Sequence, residues 1–145
     1  MKKTLGQIFS YIHLDGQAGV LADFRCDCID AIRSERFQSL CHDVCLQICA
    51  TAPLALSRDK LDPLVVSRHR DRFNEMALEP GRSESVSSKI AEGYLEKWCS
   101  ESCLLEQAFV KESDRTVAQL IAETGAELGV KIVIHRFTRY DLTQE

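Results

Sequence analysis

The sequence predicts an α+β fold, with a small antiparallel sheet (an N-terminal hairpin plus a C-terminal strand) packed against several helices. Three observations carry this. Residues 8–26 alternate with a period of two around Asp15-Gly16, residues 37–105 are dominated by helical periodicity, and residues 130–140 return to a β-branched and aromatic run. Grouped strands set apart from grouped helices mark α+β rather than a doubly wound sheet.

Residues 8–14 and 18–26 form the hairpin, and Asp15-Gly16 supplies the positive φ that a tight turn needs. In the second arm Val20, Ala22, Phe24 and Cys26 share one face, while Asp23 and Arg25 point the other way. Over 37–52, Phe37, Leu40, Cys41, Val44, Cys45, Ile48 and Cys49 form an i, i+3, i+4 stripe, so this segment is an amphipathic helix. Pro53 ends it by driving the preceding residue out of the α region. Residues 53–63 connect, with Ser57-Arg58-Asp59-Lys60 facing solvent. Residues 64–78 form a heavily charged helix that Pro80-Gly81 closes.

Ser87 or Ser88 is placed to cap the next helix, which runs to about Leu105 on a stripe of Ile90, Ala91, Tyr94, Leu95 and Trp98. Trp98 is expected to be largely buried on the face it shares with Tyr94 and Ile90. Ser113 or Asp114 precedes a shorter helix carrying Val117, Leu120, Ile121 and Leu128. Gly129 stops that helix, and 130–140 is the last strand. No repeat, low-complexity tract or interdomain linker divides the chain, so residues 1–145 are expected to form one domain.

At 145 residues the chain can bury one real core. Hydrophobic residues make up 45% and charged residues 28%, which separates it from disordered sequences. A net charge of −4 argues against nucleic acid as the main partner, because phosphate binding needs a basic face. One local basic patch is expected from His135, Arg136 and Arg139. The N-terminus has no apolar run of signal-peptide length and no stretch is long enough to span a bilayer, so a cytosolic protein is expected.

Seven cysteines make an odd set for an oxidised scaffold. Cys41, Cys45 and Cys49, like Cys99 and Cys103, recur at four-residue spacing and would line helix faces as small buried hydrophobes. Cys26-x-Cys28 is too tight for a zinc knuckle. No phosphate loop, dinucleotide-binding, nucleophile-elbow or zincin motif is present, and the four histidines (His13, His42, His69, His135) are scattered. Paired glutamates such as Glu92 with Glu96 read as the solvated face of a helix. A binding module is expected rather than an enzyme, with neither cofactor nor metal.

Several blocks, in order along nearly the whole chain, resemble one family. Tyr11-Ile12-His13 and Gly19-Val20-Leu21 look like its opening hairpin, and Phe37-Gln38-x-Leu40, Gln47-Ile48, Pro53 and Ser57-Arg58 like its next helix and connector. Ser88-Lys89-Ile90-Ala91-Glu92-Gly93 with Lys97 is similar to its most recognisable helix. The run Leu104-Leu105-Glu106-Gln107-Ala108-Phe109-Val110-Lys111, then Thr116-Val117 and Leu120, is similar to the continuation, with Ala108 where the family usually has proline. Residues 132–139, with Arg136-Phe137, are similar to the last strand. The sequence thus resembles the core, or dimerisation, domain of translation elongation factor Ts.

That resemblance implies a guanine-nucleotide exchange factor whose partner is the GTPase elongation factor Tu, often working as a homodimer and without covalent chemistry. The family wedges a helix end, Cys-Glu-Thr-Asp-Phe-Val-Ala-Arg, against the GTPase site. Here the aligned run is Cys26-Asp27-Cys28-Ile29-Asp30-Ala31-Ile32-Arg33. Cys28, Ile29, Asp30 and Ala31 are therefore the implied partner-binding residues, together with His13 of the hairpin. Asp30 could act by repelling phosphate, Ile29 could serve as a smaller wedge, or 26–33 could be only a strand-to-helix connection. The sequence opens almost directly on the hairpin, so a member without the family's small N-terminal helical module is expected. A dimeric scaffold that has lost exchange and binds another protein is the alternative implied by these departures.

Overall fold

A computed structural model of the chain describes residues 3–143. These fall into two compact units, one made of residues 3–52 and 108–143, the other of Pro53–Gln107.

The first unit is built on a three-stranded antiparallel sheet in the order β1-β2-β5, with β1 at Gly6–Ile12, β2 at Ala18–Cys26 and β5 at Ile132–Asp141. The hairpin closes through His13 N donating to the Ala18 carbonyl at 2.9 Å and Gly16 N to the His13 carbonyl at 2.8 Å, with Gly16 at φ 73°. The positive φ expected of Asp15-Gly16 is thus met by the glycine. On β2, Val20, Ala22, Phe24 and Cys26 are buried as the alternation requires. Asp23 is buried too, only 8% exposed, although the alternation sends it outward. Its carboxylate takes Nε and Nη2 of Arg25 at 3.2 Å, and Arg136 Nε lies 3.5 Å away.

Helix α2 (Glu35–Thr51) and helix α5 (Val117–Leu128) pack on the inner face of the sheet. The α2 stripe from Phe37 to Ile48 is buried as its spacing predicts, and Phe24 meets Phe37 edge-on at 6.5 Å. Cys41 and Cys45 belong to this core. Ala52, before Pro53, leaves the helix in the left-handed region at φ 46°, so the proline excludes right-handed α there without giving an extended exit.

Thr116, not Ser113 or Asp114, caps α5. Its hydroxyl accepts from Gln119 N at 3.1 Å while Gln119 Oε1 accepts from Thr116 N at 2.8 Å, a capping box. Ser113 and Asp114 lie instead in a short ribbon, β3 (Ala108–Phe109) with β4 (Glu112–Thr116), which the sequence pattern does not signal. Gln47, fully buried on α2, holds that ribbon: its Nε2 donates to the Ala108 carbonyl at 3.0 Å and its Oε1 accepts from Val110 N at 2.9 Å. Gly129 ends α5 at φ 69°.

The expected basic patch does not assemble. Arg139 folds inward, donating to the Cys49 carbonyl in the last turn of α2 at 3.0 and 3.2 Å and to Asp141 at 2.9 Å. Arg136 reaches Asp23 while staying largely exposed, and His135 lies close enough for its charge to act on the same carboxylate, so Arg139 is the member that leaves the expected patch.

The second unit holds helix α3 (Pro63–Ala77) and helix α4 (Glu84–Ser102), preceded by a turn of 3-10 helix at Arg58–Lys60 and followed by another at Leu104–Glu106. Asp62 caps α3 with Pro63 at its first position. Ser83, not Ser87 or Ser88, caps α4 by accepting from Val86 N at 3.3 Å, because nothing after Gly81 prevents the helix from starting there. Ser87 is buried one turn inside, and the helix ends at Ser102 rather than Leu105. Cys99 and Cys103 are buried with Ala55 and Leu61, and Val66, Leu95 and Trp98 pack on this cluster. Trp98 is half-buried, stacked on His69 at 4.1 Å, while Tyr94 is 40% exposed, so the shared buried face expected of the two is not formed. Arg58 reaches out of the connector to Glu96 and Glu106, with its Nε 2.8 Å from Glu106 and Nη1 2.8 Å from Glu96.

Candidate functional site

The residues singled out in 28–31 sit in the first unit, where β2 gives way to a short helix, α1 (Ile29–Arg33). Cys28 precedes it with extended backbone, φ −130° and ψ 119°, and its carbonyl accepts from Ile32 N at 3.1 Å. One serine both stops this helix and starts the next: Ser34 Oγ donates to the Ala31 carbonyl at 2.6 Å and accepts from Phe37 N at 3.2 Å. The sequence expectation, which starts this helix at Phe37, misses that cap; a serine three residues before the apolar stripe is the signal that marks it.

The four residues divide by direction. Ala31 is buried and roots the helix in the core, Cys28 is half-buried, Ile29 is 48% exposed and Asp30 is exposed. What the turn offers to solvent is therefore one branched apolar side chain beside one carboxylate. Its position is fixed from behind. Gln38 Nε2 donates to the Ile32 carbonyl at 2.8 Å and to Gln7 Oε1 at 2.6 Å, tying α1 to β1 and α2. Gln7 is not legible from the sequence, because a glutamine pair joining a strand to a helix has no local pattern.

His13 lies in the turn after β1 and is exposed. Its Nδ1 is 3.3 Å from Tyr11 Oη, and Tyr11 meets His42 of α2 edge-on at 5.7 Å. His13 is bonded to Ala18 at the start of β2, whereas Cys28 follows the end of that strand. Eight strand steps at ~3.4 Å put them roughly 27 Å apart. The structure therefore does not bring His13 to 28–31: they mark opposite ends of one hairpin.

Among the described residues, no group of three or more His, Cys, Asp or Glu is placed to hold a metal ion, and no helix is long and apolar enough to cross a membrane. Burial pushes the Cys45 thiol up to about 12 and the Cys103 thiol up to about 11, and raises Cys41 and Cys99 as well, which keeps these cysteines as packing groups.

Comparison with known proteins bears on the whole chain. The sequence model of the family described as elongation factor TS matches residues 1–144. The chain is 39% identical over 137 residues to elongation factor Ts of Syntrophomonas wolfei, covering 94% of this chain and 64% of that protein. It is 39% identical over 139 residues to elongation factor Ts of Geotalea daltonii, covering 96% and 64%. With elongation factor Ts of Moorella thermoacetica it shares 39% over 137 residues, covering 94% and 68%. The chain thus spans a little under two thirds of the length of the first two of these relatives.

Proposed function

The chain belongs to the elongation factor Ts family, and from that premise we propose that it binds elongation factor Tu in the cytoplasm and promotes release of GDP, acting in translation elongation without being an enzyme. The match across residues 1–144 carries this reading. The exposed start of α1 is consistent with it. In such a factor, partner and GDP compete through a coupling free energy: whatever affinity the factor takes from GDP, GDP takes from the factor. Ile29 supplies apolar contact and Asp30 a charge that disfavours nearby phosphate. The family places an aromatic ring where Asp30 stands, so exchange by this chain is weak. His13 contacts the partner from the far end of the hairpin.

A homodimer belongs to the same reading. The outer face of the sheet carries Ile8, Ile12, Leu21 and Tyr140, all exposed, with Ile12, Gly19 and Tyr140 in one row across the three strands. An apolar sheet face of this kind is suited to a second copy.

Release of a fluorescent GDP from elongation factor Tu tests the proposal. The chain should accelerate release at micromolar concentration, and a double variant Ile29→Asp, Asp30→Phe should accelerate it further. No complex and no acceleration with either protein would overturn it. Binding without acceleration by either would favour the second reading, a scaffold that keeps the fold and serves another protein, which the exposed Asp30 in place of an aromatic supports.

A further inference from the structure

The turn leaving β2 holds two thiols, Cys26 and Cys28, separated only by Asp27. Cys26 ends the strand and is buried, whereas Cys28 is half-buried and reachable from solvent. The chain bends at Asp27. In extended chain, residues two apart project to the same side with Cα atoms about 6.6 Å apart, and a bend shortens that separation. A disulfide needs about 4.4–6.8 Å. Cys26 Sγ already points along the chain toward residue 28, lying 3.8 Å from the Cys28 carbonyl oxygen.

A second observation points to a reactant. A cavity of about 660 Å³ opens beside the same turn. Lys3, Arg25 and Lys131 line it, Cys26 and Asp27 form part of its wall, and Cys28 follows one residue beyond; with Arg25 already paired to Asp23, Lys3 and Lys131 leave an excess of positive charge over Asp27. In a chain of net charge −4 this is a local reversal of sign that concentrates small anions.

We propose that Cys28 and Cys26 are a thiol–disulfide exchange pair that reacts with an anionic low-molecular-weight disulfide drawn to the Lys3, Arg25 and Lys131 cavity, and closes to an intramolecular disulfide. The Cys28 thiol loses its proton to solvent and the thiolate attacks one sulfur of the small disulfide. That S–S bond breaks, and one small thiolate leaves and takes up a proton. Cys26, giving up its own proton, then attacks the Cys28 sulfur and displaces the second small thiol. The pair loses two electrons and two protons, and the small disulfide gains both as it becomes two thiols. Cys28 attacks first because Cys26 is buried, and the helix-core thiols are excluded by burial. Ring closure acts on the residue that immediately precedes α1, and so on the presentation of Ile29 and Asp30. That consequence for partner binding rests on the function proposed above; the exchange chemistry does not.

Glutathione disulfide is the probe, incubated with the intact folded chain and followed by peptide mass after remaining thiols are blocked. The peptide 26–33 should become two hydrogens lighter. Cys26→Ser should stop at a mixed disulfide on Cys28, and Cys28→Ser should leave Cys26 unmodified. A Lys3→Glu, Lys131→Glu double variant should react severalfold more slowly with glutathione disulfide, but at an unchanged rate with uncharged hydroxyethyl disulfide. The proposal fails if 26–33 keeps its mass while Cys49 reacts, if Cys28→Ser still oxidises at residue 26, or if charge reversal leaves both rates alike. Oxidised chain that binds elongation factor Tu as well as reduced chain overturns only the consequence.

Discussion

Trp98 illustrates what a single residue's surroundings add to its type. Its ring stacks on His69 at 4.1 Å with the planes 24° apart, and one flank remains open to water. A large aromatic that is only half-buried loses less on truncation than the 3–5 kcal/mol typical of a sealed one. Trp98→Ala should therefore cost about 2 kcal/mol, including the stacking term. Urea denaturation measures it, and a loss above about 4 kcal/mol would mean that Trp98 is sealed in solution. The cysteines are the reverse case. Their four-residue spacing places Cys41, Cys45, Cys49, Cys99 and Cys103 inside; four are buried, and Cys49, in the last turn of α2, is only half-buried. Periodicity supplies the face, and position within the helix decides whether that face is covered.

The pairing of β2 with β5 shows why faces are not the whole account of an element. The register shifts between Asp23 and Phe24, and beside that irregularity Asp23, opposite Ile8 and Arg136 on the outer face, is covered by the side chains of Arg25 and Arg136. The Arg25 hydrogen bond holds the Asp23 carboxyl below its ordinary value, against burial, with the charges of Arg25, His135 and Arg136 adding to it. A depressed folded-state value means the unfolded chain binds the proton first, so this stabilisation is complete above the unfolded value and is lost as pH falls through the folded one. Asp23→Asn should be less stable than wild type at neutral pH, and the gap should narrow below about pH 4. Thermal unfolding of both proteins from pH 7 to pH 3 follows it; a gap that stays constant would show that the carboxylate's charge is not what matters. The same element scale explains two displaced caps. Ser83 and Thr116 were hidden by neighbouring serines and an aspartate of equal capping propensity, and only the observed hydrogen bonds choose between them.

At the scale of the molecule, the exposed outer face of the sheet makes the oligomeric prediction concrete. Leu21→Glu with Tyr140→Glu places two charges on the face proposed to meet a second copy, so the chain should sediment as a dimer and the double variant as a monomer. Circular dichroism must remain unchanged, because both side chains are exposed and neither holds the core. A wild-type monomer at tens of micromolar would remove the dimer from the proposed function. Exchange activity is judged separately, by the nucleotide-release comparison of Ile29 and Asp30 variants.

Sequence alone determined the order of the principal elements, the hairpin turn at Gly16, the buried stripes of β2 and α2, the stop at Gly129 and the resemblance that the family match sustains. Each of these is written in spacing along one segment, because a strand or helix exposes its apolar face at a fixed period. Only the tertiary structure decided that Asp23 is covered by Arg25, that Arg139 caps α2, that Gln47 holds the β3–β4 ribbon, and that His13 and 28–31 stand at opposite ends of a hairpin. Those outcomes turn on which polar group finds which partner across tens of residues. A buried donor or acceptor must be satisfied wherever the fold permits, and no local period records where that will be.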